Sequence, residues 1–407
     1  MTEGRVTSKH GPGRSVWVLL GLSLASVALS SFLVRPSEGW AEDWGFYAHR
    51  EINRLAIATV PAPLTRFYKS NAAFVRAHAV DPDKRRYAAK LEGPRHFVDM
   101  ERFGDGTMAS LPRTFAEFHA TYTSLYCVQG GDSVRVRGSG DSLYVGAASY
   151  VLPKGAYRAW YARDVQRAHW RELDTLHVAL PTEEGPTCDY LSVTDTMTQH
   201  GVLPYHLVTM QRRLTDAFRQ NNQVRALQLS AEIGHYIGDA TVPLHTTENY
   251  NGQLTGQRGV HAFWESRLPE LFAAEEYDVL VGRARYIEDA TEFYRDIIEE
   301  SHVLVDSVLL IEADLRRRLP EDAQDCYEER LGRITRVPCR GFSQAYSDRL
   351  DGMVEARYRR AIRAVGSAWY TAWVDAGQPV VGGEAVASGL SLDSTYRRLP
   401  GLDGKGH

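Results

Sequence analysis

The segment HYIGDATVPLH begins at His235 and ends at His245, and it carries three side chains that can bind a metal ion. His235 and Asp239 are four residues apart, so on a helix both side chains project from one face. Gly238 and Pro243 indicate a helix that ends near Asp239 and turns sharply, which would bring His245 back toward that face. We therefore predict a rigid helix that ends at a metal site. A helix end with two buried histidines is the alternative.

A second pair with the same spacing follows in HAFWE, where His261 and Glu265 are again one helical turn apart. One such pair is a weak signal, but two pairs joined by His245 indicate a metal site. Imidazole and carboxylate are the usual zinc ligands where no thiolate is offered, and manganese and iron are the next candidates.

The composition is that of an ordinary globular protein. The chain has 407 residues, of which 43% are hydrophobic and 24% charged, and its formal net charge is −4. These values exclude a disordered chain and a polytopic membrane protein. They give no general attraction to duplex nucleic acid, although the basic runs at 84–86 and 316–318 leave a local basic groove open.

The N-terminus reads as a targeting segment. An apolar run over 16–34 follows Arg5, Lys9 and Arg14, which is typical of an export signal. Because the run is long enough to span a bilayer, an uncleaved anchor is the alternative. We predict that 1–41 is a signal or anchor and that the protein is exported: secreted, periplasmic, or membrane-anchored and facing outward.

The four cysteines are predicted to be structural, because they show no CxxC spacing and lie far from the histidines in sequence. In an oxidising compartment, Cys326 and Cys339 would form the more local disulfide, and Cys127 and Cys188 would close a longer loop.

Most of the chain shows helical periodicity, most clearly from 354 to 372, where apolar residues recur every three or four positions until Gly377 and Pro379. The exception is DSVRVRGSGDSLYVG, which alternates in the manner of a β-hairpin. We predict an all-α, multi-helix fold with a small insertion that contains this hairpin. The predicted organisation is a helical domain over 42–380, its insertion at about 127–188, and a flexible tail over 381–407.

Further metal-ligating residues occur in WGFYAH, in HAVDPDKRRY and in PRHFVD. The ordered motifs W-G-x-x-x-H, D, H-F-x-D, H-x-I-G-D-x-x-x-P-L-H and H-x-x-x-E resemble those of the superfamily of zinc-dependent phospholipases C and single-strand-specific zinc nucleases. The resemblance runs from about Trp44 to Glu265, apart from the insertion. It implies the all-helical fold of that superfamily, a cleft with three Zn²⁺ ions, and a zinc-dependent hydrolase acting on phosphodiester bonds.

Carried over residue by residue, the resemblance implies nine ligands: Trp44, His49, Asp81, His96, His235, Asp239, His245, His261 and Glu265. The first zinc would take His96, His235 and Asp239, with Asp81 as a further ligand or, in the phospholipase pattern, a general base. Asp83 replaces Asp81 if the register differs by two.

Asp239 would bridge to a second zinc held by His49 and the backbone of Trp44. The third zinc would take His245, His261 and Glu265. Asp81 and Asp239 are thus the predicted catalytic residues. One departure concerns Trp44, which in the family is the mature N-terminus, whereas the candidate cleavage points here follow residues 30 and 41.

A close pair of zinc ions suits in-line attack on a phosphodiester, because it makes hydroxide available near neutral pH. Three features favour a phospholipase C. They are Glu265, the short connection from His245 to His261, and the strings DPDKRRYA, HTTENYNGQLTG and SAWYTAWVDAGQP. These strings look like those of a bacterial zinc-dependent phospholipase C group. Phe97 and Asp99 favour a nuclease or nucleotidase, because they match the base-binding positions of the nucleases.

Lys84 or Arg85 is predicted to clamp the phosphate. His200 and His206 match no motif and are predicted to be structural. A phospholipid substrate implies contact with a membrane surface, and no obligate protein partner is inferred. An exported protein that binds metal without turnover is the alternative outside the enzymes.

Overall fold

The structure, a computed structural model, describes Met1 and residues 46–86, 88–89, 91–139, 141–166, 175–330 and 332–382. The described residues from Phe46 onward belong to one compact unit, Trp44–His407. The predicted signal or anchor over 2–41, the predicted ligand Trp44, and the predicted tail from 383 onward lie outside the described residues. None of the helices in the described part is both long and apolar enough to cross a membrane.

The helices are numbered in chain order over the described residues. They are α1 (Tyr47–Ala56), α2 (Ala62–Ser70), α3 (Ala72–Ala77), α4 (Asp81–Arg85), α5 (Phe115–Tyr122), α6 (Ala156–Trp160), α7 (Leu203–Arg219), α8 (Gln223–Ala240), α9 (Val260–Ala262), α10 (Leu268–Phe272), α11 (Ala290–His302), α12 (Val305–Arg318), α13 (Glu321–Gln324), α14 (Arg340–Arg349) and α15 (Met353–Asp375).

The two longest helices of the described residues, α8 and α15, pack against each other in the main core. The apolar repeat predicted from 354 to 372 is confirmed as α15, and it buries Trp369 completely. The indole stacks on Tyr68 at 4.2 Å between ring centroids and donates to the carbonyl of Ser230 in α8 at 3.0 Å. Burial of an aromatic ring together with its polar atom fixes the position of α8.

Small residues let α1 approach α8 closely. A Cβ atom on Gly234 would lie 1.8 Å from Oδ1 of Asn53, and one on Gly238 would lie 2.6 Å from Nδ1 of His49. Asn53 is fully buried and donates to the carbonyl of Ala231 at 3.0 Å, so the contact is also satisfied in hydrogen bonding. The glycine spacing in α8 therefore brings His49 to the end of that helix.

The all-α prediction is wrong. The protein is 55% helical and 14% strand and contains a six-stranded antiparallel sheet, so it is a mixed α/β protein. The strands are β1 (Thr123–Gln129), β2 (Asp132–Ser139), β3 (Ser142–Val145), β4 (Ala148–Val151), β5 (Thr175–Leu176), β6 (Tyr190–Asp195), β7 (Asp325–Arg330) and β8 (Arg333–Pro338).

The large sheet has the strand order β4-β3-β2-β1-β6-β5, and it occupies the predicted insertion with slightly wider limits. The predicted hairpin is confirmed as β2 and β3, with Val136 opposite Val145. The pairing of β1 with β6 joins segments about sixty residues apart, with Cys127 opposite Leu191. Local alternation reveals a hairpin, but it does not reveal such a distant pairing.

The second sheet is the hairpin β7–β8, which the sequence did not suggest. Its outer face carries Tyr327 and Ile334, both more than 70% exposed, among charged residues, while Val337 is buried on the other face. Few apolar residues mark these strands, so their periodicity is weak. The disulfide Cys326–Cys339 closes the hairpin at its base.

Both predicted disulfides are confirmed. Cys127 in β1 pairs with Cys188 immediately before β6, and Cys326 in β7 pairs with Cys339 immediately after β8. Each disulfide therefore links two chain segments of one sheet. Each of these sheets has its own small share of the apolar contacts.

We expect the longer loop to matter more for stability. The sequence separations are 61 and 13 residues, and chain entropy assigns to them about 4 and about 3 kcal/mol of the free energy of unfolding. The double variant Cys127→Ala/Cys188→Ala should thus lose more stability than Cys326→Ala/Cys339→Ala in urea unfolding. A larger loss in the second variant would contradict this explanation.

Candidate metal centre

The last turn of α8 presents His235 and Asp239 on one face, as their spacing predicts. Nε2 of His235 lies 3.4 Å from Oδ2 of Asp239, and both side chains are buried. The helix ends at Ala240, and a 3₁₀ turn over Pro243–Thr246 then returns the chain to the site. It places Nε2 of His245 3.5 Å from Oδ1 of Asp239, so the predicted helix end and sharp turn are confirmed.

Asp239 lies between histidines from separate parts of the chain. Its Oδ2 is 2.9 Å from Nδ1 of His96, which follows a 3₁₀ turn. Its Oδ1 is 3.4 Å from Nε2 of His49, which α1 contributes. The two oxygens of one carboxylate therefore face different imidazoles, which is the arrangement of a bridging ligand.

His261 and Glu265 form the outer part of the cluster. Nε2 of His261 is 2.7 Å from Oε2 of Glu265, and Nε2 of His245 is 3.4 Å from the same oxygen. Oε1 of Glu265 points the other way, 3.0 Å from Nε2 of His49. Glu265 lies in a π-helical turn, Phe263–Arg267, a rare conformation that is frequent at functional sites.

Three groups of donor atoms in the described residues can each hold a metal ion, with all atoms of a group within 4.8 Å of one another. We name them the His49 group (His49, His235, Asp239), the His96 group (Asp83, His96, His235) and the His261 group (His245, His261, Glu265). Tetrahedral zinc with bonds of about 2.0–2.2 Å separates its ligand atoms by about 3.3 Å. The measured contacts of 2.7–3.8 Å fit such an ion.

The ring nitrogens that face away from the groups are oriented in part by backbone carbonyls. Nδ1 of His235 lies 2.9 Å from the carbonyl of Ala79, and Nδ1 of His261 lies 3.3 Å from that of Tyr250. In both histidines the contact with the carbonyl fixes the ring and leaves Nε2 free for a metal. Nε2 of His96 instead faces the buried carboxylate of Glu92 at 3.9 Å.

Three histidines of the site, His96, His235 and His245, favour the neutral form that a metal requires. Burial lowers the pKa of His96 and that of His235 well below the usual value, and positive charges nearby add to the effect. Burial also lowers the pKa of His245 to about 4, although its contact with Glu265 opposes the change.

Two carboxylates of the site, those of Asp239 and Asp83, lack sufficient positive charge. Burial and the negative charge of Glu265 raise the pKa of Asp239 well above its usual value. Burial disfavours the charged form of His49, but the hydrogen bond and the charge of Glu265 outweigh burial and raise the pKa of His49. Bound cations would supply the charge that these buried carboxylates require.

The predicted aspartate register differs from the observed one. Oδ1 of Asp83 is 3.8 Å from the nearest ring nitrogen of both His96 and His235. Asp81 instead pairs with His78 at 2.5 Å and with Lys84 at 3.4 Å. Two residues in a helical turn are about 200° apart, so only one of the two aspartates can face the histidines.

The predicted phosphate clamps are engaged elsewhere. Arg85 is largely buried and bonds to Glu232 at 2.9 Å and to the hydroxyl of Tyr236 at 3.3 Å, and Lys84 pairs with Asp81. Arg86 contacts one of the ligand candidates, since its Nη1 is 3.1 Å from Oδ1 of Asp83. The position of Arg86 in the basic run 84–86 did not distinguish it from Lys84 and Arg85 at the level of the sequence.

Phe97 and Asp99, the predicted base contacts, follow His96 along the chain. Phe97 is half-buried, and Asp99 is buried with Oδ2 3.0 Å from Nδ1 of His200. His200 therefore has a side-chain partner, whereas buried His206 packs edge-on against Tyr236 with 4.4 Å between ring centroids.

Sequence reasoning missed Glu92, which is buried behind His96 and accepts hydrogen bonds from Tyr236 and Arg95. Its position four residues before His96 is the one signal that pointed to it. Comparisons of the chain with protein-family models, with curated proteins and with solved structures find no match.

We expect the metal content to distinguish Asp83 from Asp81. Asp83→Asn removes a charge that faces His96 and His235, so purified protein should retain about one metal ion fewer per chain. Asp81→Asn is the matched control two residues away and should retain the wild-type content. Equal losses in elemental analysis of the two variants would show that this aspartate is not a ligand.

Proposed function

We propose that the protein is a zinc-dependent phosphodiester hydrolase of the phospholipase C type. The observation that carries the proposal is the position of Asp239, with one oxygen toward His96 and the other toward His49. A buried carboxylate shared by two groups of imidazoles suits two closely spaced metal ions, which is a common arrangement in hydrolysis of phosphate esters.

Zinc fits the donor set better than softer or harder metals. The groups consist of imidazoles and carboxylates, and the four cysteines are held in disulfides and are not ligands. Imidazole with carboxylate is a usual ligand set for zinc, whereas magnesium and calcium prefer oxygen alone. The resemblance of the sequence motifs to zinc phospholipases and nucleases supports the same choice.

The side chains of the site supply metal binding and orientation. Zinc, when bound, supplies a Lewis acid for a phosphoryl oxygen and lowers the pKa of water. Asp83 is 19% exposed, in contrast to 1% for Asp239, so it faces the open side. Burial raises the pKa of Asp83, and a cation bound in the His96 group would favour its carboxylate form.

A phospholipid is a better candidate than a nucleic acid. In the nuclease pattern Asp99 binds a base, but here its carboxylate is buried and bonded to His200. The net charge of −4 also gives no long-range attraction to a polyanion. Arg86 lies beside Asp83 and is half-exposed, so it can contact one phosphate group at the opening.

The test of this function uses the purified protein with and without a chelator. We expect hydrolysis of bis-p-nitrophenyl phosphate that a chelator abolishes and zinc restores, and faster hydrolysis of phosphatidylcholine than of single-stranded DNA. Preference for DNA would indicate a nuclease. Tight zinc binding with no hydrolysis of any of these substrates would indicate a metal-binding protein without turnover.

We expect Asp239→Asn to damage the site more than Glu265→Gln. An amide cannot supply a second anionic oxygen, so metal should be lost both on the side of Asp239 that faces His49 and on the side that faces His96, whereas Glu265 belongs to the His261 group alone. Activity of Asp239→Asn should fall at least about a thousandfold, which corresponds to about 4 kcal/mol.

Zinc analysis and initial rates of both variants decide the matter. Equal zinc loss in the two, or higher activity of Asp239→Asn, would contradict the bridging role. Loss of the fold is checked by thermal unfolding of each variant beside the wild type.

A further inference from the structure

The loop of residues 246–259, which joins His245 to the turn that carries His261, has an inverted distribution of polarity. Its polar side chains Asn249 and Gln257 are buried, at 8% and 7% exposure, while Tyr250 and Leu254 are 52% and 67% exposed. A loop in water normally buries its apolar side chains and exposes its polar ones. We call this segment the 246–259 loop.

The exposed side chains are held outward by a bonded scaffold. Asn249 accepts from the backbone N–H of Leu254 at 2.8 Å, and its amide donates to Thr255 at 3.0 Å. Gly252 adopts φ +67°, and a Cβ there would lie 2.5 Å from the carbonyl oxygen of Gln257. The loop therefore holds Leu254 at a fixed place. The exposure of the Leu254 side chain occurs in a segment that is ordered by its own hydrogen bonds.

The loop stands beside the open side of the metal groups. The carbonyl of Tyr250 lies 3.3 Å from Nδ1 of His261, and the two rings are 5.8 Å apart between centroids. The side chain of His261 is 21% exposed, whereas that of His235 is fully buried. A substrate that reaches His261 from solvent therefore passes close to Tyr250.

Two further exposed apolar residues lie on elements bonded to the loop. The amide of Gln257 donates to the carbonyl of Leu309 in α12 at 2.8 Å, and the next residue, Leu310, is 68% exposed. Val303, 69% exposed, precedes α12. The elements that contact the loop therefore also carry exposed apolar side chains.

The charge of the 246–259 loop indicates which kind of lipid surface the loop can bind. Its own charged residues are Glu248 and Arg258, which are opposite in sign, and Glu248 also pairs with Arg102. An anionic bilayer attracts clusters of several basic residues, and this loop has no such excess. A neutral, zwitterionic lipid surface is the partner that requires burial of apolar side chains alone.

We propose that the 246–259 loop docks the protein on a zwitterionic phospholipid surface by inserting Leu254, with Tyr250 at the interface. The inference deepens the proposed function, on which it rests for the lipid class of the substrate. Leu254 enters the apolar layer, and the amphipathic ring of Tyr250 suits the level of the headgroups. The contact would bring a headgroup phosphate to the side on which His261 is exposed.

The experiment measures sedimentation of the full chain with phosphatidylcholine vesicles. Leu254→Ser should weaken binding at least about tenfold, since burial of a leucine side chain stabilises by about 1.5–3 kcal/mol. Leu280→Ser is the matched control, because Leu280 is 83% exposed on a segment that is not bonded to the loop. It should bind as the wild type does.

Thermal unfolding and zinc content of Leu254→Ser should match the wild type, since the side chain of Leu254 is 67% exposed and belongs to none of the three groups. Wild-type protein that does not sediment with the vesicles, unchanged binding of Leu254→Ser, or equal loss in Leu280→Ser would overturn the proposal. Loss of binding in Leu254→Ser alone, in a protein that hydrolyses no phospholipid, would support the docking surface and refute the proposed function.

Discussion

The close approach of α1 to α8 is the constraint on which the metal centre depends. Gly234 and Gly238 remove the side chains that would separate the two helices, so Asn53 and His49 occupy the space instead. Asn53 satisfies its amide on the backbone of α8. His49 reaches the carboxylate of Asp239, which is 1% exposed. Without that approach, the two sides of Asp239 would not both meet imidazoles.

The electrostatics of the site follow from this packing. A carboxylate taken out of water is costly unless positive charge accompanies it. Asp239 is buried, and the neutral imidazoles of His96 and His235 beside it offer lone pairs, not charge. Such a cluster is poorly explained as a stabilising core and well explained as a binding site for cations. The carbonyl contacts of His235 and His261 then select which ring nitrogen would face a metal ion.

The two sheets are additions around the helical body, and each is tied by its own disulfide. β1 and β6 carry the ends of a long excursion, joined by Cys127 and Cys188, with a separate small core in which Leu143 and Leu191 are fully buried. The hairpin β7–β8 has little apolar surface and is closed by Cys326 and Cys339. Covalent closure offsets the small apolar area of such segments, because it reduces the entropy of the unfolded chain.

The sequence by itself determined the parts that depend on local spacing. The i,i+4 pairs His235–Asp239 and His261–Glu265, the end of α8, the periodicity of α15 and the hairpin β2–β3 follow from the geometry of single helices and turns. The two disulfides followed from separation along the chain. Seven of the nine predicted ligands lie together in the described structure, but Asp81 lies apart and Trp44 is outside the described residues.

Only the tertiary structure decided the rest. The choice of Asp83 over Asp81 depends on which way the short helix α4 faces across the site, and the engagement of Arg85 by Glu232 depends on α8 lying beside it. The pairing of β1 with β6 and the burial of Glu92 behind His96 are likewise long-range contacts. Short-range periodicity fixes the face on which a side chain lies, but the partner that meets that face is set by packing between segments far apart in the chain.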